Sequence, residues 1–184
     1  MNLKKFLSIV FIVCFSYLFL HHFQLLIYSG NFFSKEVNAY AYSIYMPHGL
    51  RILFFLIYGY WSIPGLFIAH FVASLGTDFL TTFHGLFSLI IGTFCVPCGA
   101  LILEKTFKEI ENKFNLKYLF SLTLISTLIN GFLTNFYRFL TIFEKDLSTF
   151  LDEFIGYFVG DILGVILIVF GYLIIKRIFL LSIK

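Results

Sequence analysis

Six stretches of about 20 mostly apolar residues organise the chain, at 6–28, 41–60, 62–83, 84–103, 118–140 and 154–174. Runs of that length with few charges read as helices that cross a bilayer, where only a helix or a closed barrel satisfies its own backbone. The expected fold class is therefore all-α. It is a polytopic integral membrane bundle of about six transmembrane helices, one domain over residues 1–184. The second and third helices meet at Gly59-Tyr60-Trp61-Ser62-Ile63-Pro64-Gly65, which predicts a tight turn. Gly59 can end a helix, Ser62 can cap the next, and Pro64 fits its first turn. Tyr58, Tyr60 and Trp61 would anchor that turn at headgroup level. Pro47-His48-Gly49 interrupts the second stretch, and a break inside a membrane is tolerated only where freed backbone groups face protein or water.

Two helices carry a pattern of their own. In the fifth, Thr123, Thr127, Asn130, Thr134 and Arg138 are spaced by four, three, four and four, with Ser126 and Asn135 beside them. Those steps keep the polar groups on one face, which must look into the bundle. In the last, Gly156, Gly160 and Gly164 repeat every four residues and Gly171 follows two turns later. Small residues at that spacing let two backbones approach closely. Gly85, Gly92 and Gly99 of the fourth helix offer a matching smooth face. Such faces serve either the bundle itself or a homo-oligomer, and the pattern leaves both open.

Arg51 and Asp161 are the charges placed well inside otherwise apolar stretches, each in a glycine-rich setting: Pro47-His48-Gly49-Leu50-Arg51 and Gly160-Asp161-Ile162-Leu163-Gly164. A charge at bilayer depth costs about 2.5–3.5 kcal/mol on insertion scales, so it faces a partner or a water-filled cavity. Opposite signs in two segments predict that the segments meet. With His48, Asn130, Arg138 and Asp78 they form a candidate ligand-binding or charge-pair site, opening away from the cytoplasm.

Composition sharpens this picture. The chain is 60% hydrophobic and only 12% charged, with 27 Phe and 11 Tyr, and its mean hydropathy is +0.94. So few polar groups cannot cover a soluble domain of this size. Charge placement sets the orientation. With the N-terminus inside, Lys4, Lys5, Lys105, Lys108, Lys113, Lys117, Lys176, Arg177 and Lys184 are cytoplasmic, while only Lys35, Arg138 and Lys145 lie outside. Both termini are then cytoplasmic. The net charge of +3 follows that topology and does not point to nucleic acid. Lys4 and Lys5 before an apolar run also open a signal peptide, but the run is long for one and no A-x-A site follows, so an uncleaved first helix is expected.

Several chemistries lack a frame. No two histidines are spaced i, i+4, and Cys95-Val96-Pro97-Cys98 has no second pair for zinc, so neither a metal site nor a cofactor is expected. No G-x-S-x-G, H-E-x-x-H or phosphate-binding glycine loop is present, and enzyme activity is not expected.

The succession Pro-x-Gly-Leu-Arg, apolar helix, Gly-aromatic turn, Pro-Gly, apolar helix and finally Gly-Asp-x-x-Gly resembles the bacterial membrane-associated sensor domains of the MASE type. The residues that carry it are Pro47, Gly49, Leu50, Arg51, Gly59, Pro64, Gly65, Gly160, Asp161 and Gly164. The resemblance implies ligand or signal sensing in a bacterial inner membrane. In that family the bundle usually precedes kinase, cyclase or phosphodiesterase modules, so here the expected listener is a separate cytoplasmic or membrane signalling partner. Size and layout are also similar to the substrate-binding subunits of energy-coupling-factor vitamin transporters, although their first-helix Ala-x-x-x-Ala is missing and Ala69-x-x-x-Ala73 lies in the third helix. A structural membrane protein without a ligand is the third alternative.

Overall fold

The computed structural model describes residues 2–29, 44–75, 83–106, 115–141 and 146–182, and among them every regular element is helical. The helices are α1 (Leu3–Ser29), α2 (Met46–Tyr58), α3 (Ile63–Ser74), α4 (Phe83–Thr106), α5 (Leu116–Thr141), α6 (Leu147–Val165) and α7 (Gly171–Ser182). A 3-10 turn, Gly59–Ser62, joins α2 to α3, and a π-helical segment, Ile166–Phe170, joins α6 to α7. Five helical segments are long and apolar enough to cross a membrane: Leu3–Ile27, Met46–Ser74, Gly85–Thr106, Leu116–Thr141 and Leu147–Phe179. The second and third stretches read from the sequence thus share one continuous segment.

That segment is folded back on itself. Arg51 and His70 are 19 positions apart yet their side chains touch at 2.9 Å, whereas a straight helix would separate them by about 28 Å. The reversal is made at Gly59, whose φ of +59° favours glycine, and whose N–H still reaches the Phe55 carbonyl. Pro64 lies in the first turn of α3. Ser62 does not cap α3 as expected: its hydroxyl donates back to the Gly59 carbonyl at 2.7 Å, so it closes the turn instead. Trp61 meets Phe6 edge-to-face, and the Tyr60 hydroxyl donates to Glu104. The turn is therefore level with the start of α1 and the end of α4.

Pro47 does not interrupt a helix either. α2 begins at Met46 and Pro47 occupies its first turn, where the missing N–H leaves no bond unmade. The irregular backbone lies just before it, at Ile44 and Tyr45, and protein groups satisfy it. Gln24 of α1, 2% exposed, accepts from the Met46 N–H and donates to the Ile44 carbonyl. The Tyr45 N–H donates to the Gly160 carbonyl of α6 at 2.8 Å. Non-helical backbone at membrane depth needs such internal partners.

From Pro47 to Leu56 every residue of α2 is buried, so this short helix is the inner one, held by α1, α4, α6 and the π-helical segment. The remaining neighbours run α1 with α3, α3 with α4, α4 with α5 and α5 with α6. Glycines set the closest approaches. A Cβ on Gly164 would stand 2.0 Å from the Tyr45 carbonyl oxygen, and one on Gly49 would stand 2.3 Å from that of Gly164. The small-residue face of the last helix is thus spent within the bundle, on the start of α2. Two expectations change. Gly92 and Gly99 do not face the last helix: Gly92 sits under Arg51 and His70, and Gly99 against α5. Gly171 has open space around its Cβ position, because the π-helical segment adds a residue between it and Gly164 and rotates it off the packed face.

The last helix also starts seven residues earlier than the apolar run suggested, at Leu147 rather than 154. Asp146 is its cap, accepting from the N–H and hydroxyl groups of Thr149 and Ser148. Those bonds, Thr149 foremost, hold its carboxyl below the usual carboxylate range.

Candidate functional site

The polar stripe of α5 turns inward as its spacing requires. Thr123, Ser126, Thr127, Asn130, Thr134, Asn135 and Arg138 are all buried. α6 runs antiparallel to α5 and places a carboxylate opposite two of them. Asn130 donates to Asp161 Oδ2 at 2.8 Å, and Arg138 lies 3.4 Å from Glu153 Oε2. The two pairs are eight residues apart on each helix, about 12 Å.

The inner pair continues into α2. His48 Nδ1 is 3.6 Å from Asp161 Oδ2 and 3.4 Å from Arg51 Nη1. On its other side, His48 Nε2 lies 3.3 Å from both Ser126 and Thr127 hydroxyls. A guanidinium only donates, so the Arg51 contact makes Nδ1 the acceptor and leaves the proton on Nε2. Ser126 fits that assignment, since its own proton goes to the Thr123 carbonyl. His48 is thereby neutral and stands between a buried cation, from which Nδ1 accepts, and a buried anion, which that proton-free nitrogen approaches without a hydrogen bond.

Arg51 Nη2 reaches further, to the Tyr17 hydroxyl at 3.0 Å, the Tyr45 hydroxyl at 3.3 Å and His70 Nε2 at 2.9 Å. Its guanidinium carbon stands 5.8 Å and 5.4 Å from the Tyr17 and Tyr45 ring centroids, within cation–π range. The same donor logic puts the one ring proton of His70 on Nδ1, which faces the Thr93 hydroxyl at 3.0 Å. One hydrogen-bonded network therefore runs through α1, α2, α3, α4 and α5, and Asp161 of α6 adjoins it at His48. Arg51 and Asp161, 4% and 0% exposed, are the charged groups here and balance each other. Asp161 Oδ1 and Arg51 Nε are buried without a hydrogen-bond partner among the described residues.

Of the residues singled out in the sequence, Arg51, Asp161, His48 and Asn130 come together here. Arg138 is placed in the neighbouring layer, with Glu153. Asp78 lies outside the described residues. Gly160 and Gly164 pack on the start of α2, while Gly156 is half-buried. Tyr17, Tyr45, Thr93, Gln24 and His70 join the site without having stood out in the sequence. A tyrosine or histidine in an apolar run has no periodic signal to mark it. Glu153 was missed because it preceded the expected start of the last helix.

Among the described residues no group of three His, Cys, Asp or Glu gathers where it would hold a metal ion. The three cysteines are free thiols. What the arrangement can do is couple: a change of charge or of hydrogen bonding at one member must be answered by partners on other helices.

Comparison with curated proteins and with solved structures returns no match. A family model does match, over residues 7–183, and it is MASE1, a membrane-associated sensor domain. A helical protein with several spanning segments, a charge-balanced network across them and that match over nearly its whole length is a multi-pass membrane protein, and the chain belongs to the MASE1 family.

Proposed function

We propose that this chain is a membrane-embedded sensing module that passes a signal to a separate cytoplasmic or membrane partner through its last helix. The observation that supports this reading is the polar network around Arg51 and His48, which adjoins Asp161 of the last helix and runs through five other helices. A ligand or charge change that re-partners Asp161 or Arg51 alters the seating of α6 on α2, and α6 continues into α7. In this reading the protein does not itself catalyse a reaction. The test is affinity isolation of the full chain in mild detergent after in-cell crosslinking, comparing wild type with Asp161→Asn, a change of nearly equal volume. A signalling protein should co-isolate with wild type, and its yield should change several-fold in the variant while helicity is retained. Identical partners at identical yield, or none, would count against the proposal.

The orientation belongs to the same reading. Counting α2 and α3 as separate crossings gives six, with both termini on the cytoplasmic side, in keeping with the excess of lysine and arginine on that side. The side of the turn at Gly59–Ser62 agrees, since it lies level with the first residues of α1. A reporter fused after Lys113 should be cytoplasmic and one at Lys145 outside. Finding both on one side would sink the six-crossing arrangement.

A further inference from the structure

A groove of about 380 Å³ lies between α5 and the last helix, apart from the polar network, and that volume falls in the range of about 300–1,000 Å³ usual for ligand sites. Leu119 and Val165 form a buried floor, and Phe120, Ile166 and Phe170 form half-exposed walls. The hydroxyl in it, that of Thr123, donates to the Leu119 carbonyl of its own helix, so the floor offers an entering molecule little but hydrocarbon. Ile166 and Phe170 are the first and last residues of the π-helical segment. The groove therefore sits where the last helix departs from α geometry.

Its two ends differ. Leu124 and Ile162 close one end, towards the middle of the apolar span, and Lys117 stands at the other. From Lys117 to Leu124 the helix rises about 10 Å, less than the roughly 15 Å of one leaflet's hydrocarbon. Lys117 is exposed, and α7 carries the exposed Lys176 and Arg177 beyond Phe170, on the same end. An apolar slot that opens on cations at headgroup level complements a molecule with an apolar chain and an anionic head.

We propose that this groove binds an acyl chain of an anionic phospholipid, with Lys117 facing the lipid phosphate. A lipid seated there bridges α5 and the π-helical segment, so its binding bears directly on the last helix. The experiment uses the full chain in phosphatidylcholine bilayers containing trace spin-labelled phosphatidylglycerol or spin-labelled phosphatidylcholine. The motionally restricted fraction should favour phosphatidylglycerol. Lys117→Ala should weaken that preference about fivefold, the effect of roughly one surface lysine. Ile166→Trp, which fills the groove from an exposed wall, should remove the restricted component that distinguishes the two lipids. Equal restriction of both lipids by the wild-type chain would overturn the proposal, as would a preference that survives both variants. So would a disulfide-linked dimer formed by Phe120→Cys in the bilayer, which would mean that a second copy covers the groove.

Discussion

Gly164→Ala is expected to lower the stability of the bundle by about 3 kcal/mol or more, at the upper end of what overpacking costs. The added methyl would stand 2.0 Å from the Tyr45 carbonyl oxygen and 2.5 Å from its carbon, and backbone cannot swing aside as a side chain can. Relief requires moving α6 away from the start of α2, which would also stretch the bond from the Tyr45 N–H to the Gly160 carbonyl. Gly171→Ala is the matched control. Nothing lies within 4 Å of its Cβ position, so that change should fall within about 0.5 kcal/mol of wild type or stabilise slightly through better helix propensity. Thermal midpoints of the two variants in one detergent decide the matter. Equal tolerance would mean that the approach of α6 to α2 is looser than these distances say.

The second large effect is expected at the charges. Arg51→Ala strands Asp161, and Asp161→Asn strands Arg51; losing one partner of a buried pair typically costs about 3–5 kcal/mol. The double variant should recover part of the worse single loss, because it leaves no uncompensated charge. His48 adds a test of the route. No direct Arg51–Asp161 hydrogen bond joins the two, and His48 touches both. His48→Phe should therefore weaken the measured Arg51–Asp161 coupling more than Thr134→Val, a change in the polar stripe that does not touch His48. Strictly additive losses in the Arg51–Asp161 cycle would show that the charges do not communicate.

Much of this architecture was legible because lipid imposes strict rules on sequence. A charge at bilayer depth must be answered, so Arg51 and Asp161 announced each other across 110 residues of chain. The α5 stripe was legible for a similar reason, since its polar groups share one face and that face cannot meet lipid. What was hidden is the means of answering. A neutral histidine stands between cation and anion, and the aromatic surroundings of Arg51 come from α1 and from the residue before α2. Tyr17 and Tyr45 look like any other aromatic in a phenylalanine-rich chain. Pro47 misled because a proline inside an apolar run can either break a helix or begin one. The bond from the Met46 N–H to Gln24, 22 residues before Met46, reveals which. The start of the last helix was hidden because the charged Asp152 and Glu153 interrupt the apolar run by which a span is recognised. Glu153 in fact enters the bundle, 4% exposed, facing Arg138.

The π-helical segment at Ile166–Phe170 gives the last helix a built-in angular offset. Each residue of an α-helix advances the chain by about 100° around the axis and 1.5 Å along it, and a π-turn accommodates one residue more than an α-turn. Everything on α7 is consequently phased by about one residue step relative to α6, whose orientation is fixed by Asp161, Gly160 and Gly164. Tightening that segment to α geometry, with α6 held in place, would turn α7 about its own axis by close to a third of a revolution while lengthening it hardly at all. The geometry of this helix favours torsion over piston motion, and a partner that gripped α7 would feel a change of facing rather than a push.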